Sequence, residues 1–83
     1  MAELLKVPLI LSAHAEGGFV VTSPVFPELV TEGDTIGEAI HNVRDAVLAV
    51  IEIYEDLAKP LPAHIRQDPG ASRISFESLV ALP

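Results

Sequence analysis

The sequence predicts an α+β domain in the order β-β-β-α-β, an antiparallel meander with one long helix across one face of its sheet. Three observations carry this. Residues 5–15 alternate with period two and lead into a paired-glycine turn. Residues 35–59 open on a capping pattern and then repeat apolar side chains every three or four positions. Residues 73–82 return to alternation, so the helix can cross the sheet and deliver a last strand to it.

The meander spans about residues 4–32. Leu5, Val7, Leu9, Leu11 and Ala13 share one face of the first strand, and Lys6, Pro8, Ser12 and His14 share the other. Pro8 cannot donate to a ladder, which puts that end on an edge. Gly17 and Gly18 supply the positive φ of a hairpin turn, and residues 19–23 form the return strand, with Phe19 packing inward. Pro24 and Pro27 break that strand, a short third strand follows at 28–32, and Gly33 turns the chain toward the helix.

Thr35 and Glu38 fit a capping box, in which the hydroxyl accepts from the Glu38 amide and the carboxylate reaches back to the Thr35 N–H. Pro60 stops the helix. Its apolar seam is Ile36, Ile40, Val43, Val47, Val50, Tyr54 and Leu57. Glu38, Asp45 and Glu52 recur every seven residues nearly opposite, an acidic stripe with two readings: a solvated face or a partner-binding face. Leu48 lies toward the outside, either as a tolerated surface residue or as an oligomer contact. Residues 60–72 carry three prolines and read as a loop. In the last strand Ile74, Phe76, Val80 and Leu82 share a side, with Ser78 as the exception.

Composition narrows the function classes. With 83 residues the chain is a single domain, 1–83, and a monomer of this size is only marginally stable. It has no cysteine, which excludes a disulfide scaffold, a Cys-ligated zinc and a thiol nucleophile. Hydrophobic residues are 49% of the chain but aromatic ones only 5%, so the core is aliphatic. Twelve acids against five bases give a net charge of -7, which repels phosphate backbones. Ala13-His14-Ala15 has the small-x-small look of a cleavage site, but Glu3 offsets Lys6 and Pro8 interrupts the short apolar run. No run approaches a bilayer span. The expected location is cytoplasmic, with no membrane partner.

No catalytic constellation emerges. His14, His41 and His64 are dispersed, and no pair has the i, i+4 spacing of helix-borne metal ligands. The acids lie in turns, at strand ends and on the outer helix face rather than at the strand centres a two-metal nuclease uses. The serines lack a G-x-S-x-G elbow, and no helix or lysine follows Gly17-Gly18 as a phosphate loop requires. The expectation is a binding protein, not an enzyme, with no cofactor and no metal.

The ordered series Ala15-Glu16-Gly17-Gly18-Phe19-Val20-Val21-Thr22-Ser23-Pro24, then Gly33-Asp34-Thr35, then Glu38-Ala39 resembles the signature of HicB-like antitoxins. The resemblance covers residues 5–59. It implies a sheet-plus-helix domain similar to a truncated ribonuclease H fold without its catalytic acids. It further implies a cytoplasmic homo-oligomer of a type II toxin–antitoxin system, which binds a small HicA-type mRNA interferase and occludes its RNA-binding surface. A net charge of -7 complements a toxin that is basic because it grips RNA. Many relatives carry a C-terminal DNA-binding domain. After Pro60 this sequence has neither a second amphipathic helix nor a basic cluster, which argues against promoter binding by this chain. A rival reading is a self-assembling small domain with a non-toxin ligand or interaction role, motivated by Leu48 and the aliphatic helix.

Overall fold

The computed structural model describes residues 3–83. Strands β1 (Leu4–Leu5), β2 (Ile10–Ala13), β3 (Phe19–Thr22) and β4 (Val30–Gly33) precede helix α1 (Ile36–Asp56), and a 3-10 turn (Ala63–Ile65) leads into β5 (Arg66–Gln67). The fold is α+β. β2, β3 and β4 form a three-stranded antiparallel sheet in that order, and β1 pairs antiparallel with β5 in a separate two-stranded ladder. Among the described residues no helix is long and apolar enough to cross a membrane.

The single first strand expected over 5–15 is two short ones. Pro8 lacks an amide hydrogen, so the chain changes partners around it. Before it, Lys6 N donates to Ile65 O across 2.8 Å and continues the β1–β5 ladder. After it, Ile10 to Ala13 pair with Thr22 to Phe19. The Ser23 hydroxyl donates to Pro8 O at 2.8 Å and pins the crossover. The hairpin turn closes through Gly17 N to His14 O and His14 N to Gly18 O, with φ of 102° at Gly17 and 81° at Gly18.

Two further expectations are corrected. Residues 73–82 form no strand: Ile74 is half-buried, and Phe76, Val80 and Leu82 are exposed. The strand that returns after the helix is β5, within the stretch read as a loop. Its partner is β1, and its anchor is Ile65, a fully buried side chain that the proline-rich composition hides. The third strand starts at Val30, because Leu29 N closes a turn onto Phe26 O across Pro27-Glu28.

The most buried cluster lies beneath this turn rather than under the middle of the sheet. Phe26, Leu29 and Ile65 are fully buried and pack with Val50 and Tyr54 of α1. Phe26 meets Tyr54 edge-on, with ring centroids 5.3 Å apart. Cross-strand rows Leu11–Val21–Thr31 and Ala13–Phe19–Gly33 follow from the register, and the Gly33 row lies against α1. Gly33 does not have positive φ, so its expected role as a turn residue is replaced by close packing. A Cβ there would lie 2.4 Å from Ala39 N, and Ala39 is itself fully buried.

The helix stops three residues before the expected 59, in a Schellman arrangement. Leu57 is the C-cap, Ala58 takes φ 51°, Lys59 N donates to Tyr54 O, and Ala58 N donates to Glu55 O.

Candidate functional site

The outward face of α1 holds the expected partner-binding residues, and its orientation is set from both ends. At the N-terminus the Thr35 hydroxyl accepts from Glu38 N at 3.1 Å, which is the first half of the capping box. The reciprocal bond from the Glu38 carboxylate is not formed among the described residues, so that carboxylate stays free for solvent or a partner. Asn42 donates to Glu32 O at 2.9 Å and ties the second turn of the helix to β4. Ala39, Val50 and Tyr54 are buried, with Ile40, Val43 and Val47 half-buried beside them. The seam therefore holds through its middle, while its ends, Ile36 and Leu57, reach solvent.

This rotation leaves Glu38, Asp45 and Glu52 exposed along one line. At 1.5 Å per residue the line runs roughly 21 Å. Asp56, four positions beyond Glu52, extends it, and Glu55 flanks it. Sequence reasoning on a strict seven-residue repeat misses both, although the spacing of four would have found Asp56. α1 carries five acids and one base, Arg44, and its last turn has no base. Acids at a helix C-terminus oppose the macrodipole, so helix stability does not account for Glu55 and Asp56. Leu48, 47% exposed, sits three residues after Asp45 and four before Glu52. Leu48 is therefore an exposed apolar side chain set between two exposed acids.

A second group anchors the C-terminal end of α1. Tyr54 donates its hydroxyl to Glu28 Oε1 at 2.9 Å, and Lys59 Nζ lies 3.5 Å from Glu28 Oε2 and 4.6 Å from the Tyr54 ring centre. The Glu28 carboxyl is held below its ordinary value by its own backbone amide, and further by Tyr54 and Lys59, against a desolvation that pushes it up. The Lys59 ammonium is pushed up by its closeness to the Tyr54 oxygen and then by Glu28. This group locks α1 to the β3–β4 turn, and it is a fastening.

The remaining motif residues serve the scaffold. Gly17 and Gly18 make the hairpin turn, Phe19 is half-buried at the start of β3, and Pro24 is exposed at the bend after it. His14, His41 and His64 are exposed, and His14 Nδ1 accepts from Glu16 N at 3.3 Å. Among the described residues no three His, Asp or Glu side chains gather to hold a metal ion.

No protein-family model matches the chain. Individual relatives do. The chain is 41% identical over 66 residues to antitoxin HicB 1 of Photorhabdus laumondii, covering 77% of this chain and 43% of that protein. It is 35% identical over 66 residues to antitoxin HicB of Escherichia coli K12, covering 72% of this chain and 48% of that protein. It therefore spans less than half the length of these antitoxins. A UPF0150 protein of Thermoplasma acidophilum is matched over most of its length, at 31% identity over 58 residues, 70% of this chain and 84% of that one. With 84% of that relative covered and the two antitoxins matched over most of this chain, the chain belongs to the family of HicB-like antitoxins and UPF0150 proteins.

Proposed function

We propose that this chain is the toxin-binding module of an antitoxin, acting by stoichiometric capture of a small basic HicA-type mRNA interferase and covering the surface that would grip RNA. The observation that carries the reading is the similarity to HicB antitoxins over 66 residues. The exposed stripe Glu38, Asp45, Glu52 supplies the physical means, because an acidic face steers a basic partner and pairs with its phosphate-binding groups. In this reading the scaffold is the truncated ribonuclease H-like arrangement, serving as a rigid support in the cytoplasm. Leu48 belongs to the same surface, so it is part of the toxin contact. A second copy cannot cover Leu48 while a toxin lies on the acids either side of it.

Co-expression with the neighbouring open reading frame tests the proposal. The expected result is a one-to-one complex with a small basic protein whose RNA cleavage is suppressed. Its association should slow as salt rises and weaken in the Asp45→Lys, Glu52→Lys double variant. A folded pair that fails to associate sinks the reading. A complex that ignores the double charge reversal moves the contact off α1.

A further inference from the structure

A groove of about 1200 Å³ runs between the β1–β5 ladder, the inner side of β2 and the chain that follows the helix. Small-molecule sites usually occupy roughly 300–1,000 Å³, so an elongated guest has room here. Residues 74–79 form one wall of the groove and leave it open.

The lining is graded from apolar to polar. At one end stand Leu11 and Val21 of the sheet with Ile40 and Val43 of α1. Leu11 lies on the face of β2 turned toward the helix, and Ile40 and Val43 belong to the helix seam, yet all three are only half-buried. These aliphatic side chains offer a guest contact and escape from water, and nothing else. At the other end, Lys6, His64 and Gln67 line the groove where β1 meets β5. Their backbone is fixed, because Lys6 N donates to Ile65 O at 2.8 Å. Gln67 spends one amide hydrogen on Ile65 O at 3.3 Å and keeps the other. This end therefore presents a cation and further hydrogen-bond donors.

Charge selects the head group. The chain as a whole carries -7, but the groove is lined by one lysine and one acid, Glu77, and adds no net charge. Lys6 takes part in neither ion pair found among the described residues, so its ammonium is open to a ligand. Acids farther away than about 8 Å are largely screened at physiological salt. An anionic head at the ladder end thus meets Lys6 and the donors beside it, with Glu77 as the opposing charge.

We propose that this groove binds a medium-chain aliphatic carboxylate, its alkyl chain along Leu11, Val21, Ile40 and Val43 and its carboxylate paired with Lys6. Lys6 and its neighbouring donors discriminate the carboxylate from an alcohol or an amine of equal length. Glu77 repels the head and holds the affinity down. The site lies on the inner side of α1, away from the acidic stripe, and it stands whether or not the chain is an antitoxin.

Isothermal titration calorimetry of the full chain with decanoate tests it. Wild type is expected to bind decanoate saturably, and to bind it more tightly than decanol or decylamine. Dodecanoate, with two more methylenes to bury, is expected to bind about 15-fold more tightly. Lys6→Met should weaken decanoate about tenfold and leave decanol unchanged. Glu77→Gln should tighten decanoate and also leave decanol unchanged. Both positions are exposed, and far-UV circular dichroism checks that the variants fold. In wild type, decanoate should move the methyl resonances of Val21, Ile40 and Val43. Failure of both acids to bind overturns the proposal, as does tighter binding of decylamine. So do a folded Lys6→Met that binds decanoate like wild type, or methyl shifts confined to Leu48 and the outer helix face.

Discussion

Replacing Gly33 with alanine puts a methyl group where the helix backbone already lies. The added Cβ would sit 2.4 Å from Ala39 N, 2.8 Å from Glu38 C and 2.9 Å from Ala39 Cα. The first of these is about 1 Å short of van der Waals contact. All three atoms belong to backbone, so no side chain can rotate aside. β4 and α1 must separate, which strains the Asn42 bond to Glu32 O and the Thr35 cap together. Overpacking of this kind costs about 3 kcal/mol or more. An 83-residue domain has about 4–12 kcal/mol in all, so Gly33→Ala removes a large share of it. At roughly 1 kcal/mol per molar urea, the unfolding midpoint falls by about 3 M. Two companions isolate the cause. Gly17→Ala meets nothing within 4 Å but keeps φ near 102°, so it reports left-handed strain alone, about 1 kcal/mol. Gly18→Ala combines φ 81° with an approach of 3.1 Å to Gly33 O and should fall between the other two. If Gly33→Ala costs no more than Gly17→Ala, the close packing of β4 on α1 is wrong.

Three further outcomes are expected. Thr35→Ala removes the hydroxyl that accepts from Glu38 N and should cost about 1 kcal/mol in a urea titration; an unchanged midpoint would show that another group caps α1. Ala58→Gly relieves φ 51° at the Schellman position and should stabilise by about 0.5–1 kcal/mol, even though glycine loses more freedom on folding, with thermal unfolding as the readout. Glu28 is depressed in the fold, so its contribution is complete above the ordinary value of 4.5 and disappears as pH falls through the lower folded value. The stability gap between wild type and Glu28→Gln should therefore be widest near neutrality and close in acid, and a gap independent of pH would refute the ion-pair account.

The helix was legible because its signals are local, a Thr35 cap and a regular seam, whereas its end at Asp56 is made by Ala58 in the left-handed region ahead of the proline. The hairpin was legible for the same reason, since Gly17 and Gly18 determine their own turn. What was hidden is what depends on distant partners. Nothing near Arg66 or Gln67 announces a strand, because two residues have no period, and the ladder exists only where β1 comes to meet them. Phe26 stands between Pro24 and Pro27, which mark a break, yet it is fully buried because the turn at Leu29 folds it onto Tyr54. Residues 73–82 failed in the opposite direction. Alternation shows that a segment can line a surface, but the pairing partner decides whether it becomes a strand. On the site, the exposure of Glu38, Asp45 and Glu52 followed from the helical repeat alone, while Glu55 and Asp56 lay outside the seven-residue spacing.

The outer face of α1 concentrates the negative charge of the molecule. Helix α1 carries five acids against one base, most of the acids on that face, and Glu55 and Asp56 oppose its own dipole. In the proposed reading a basic partner on that face offsets both the mutual repulsion of the acids and their conflict with the dipole.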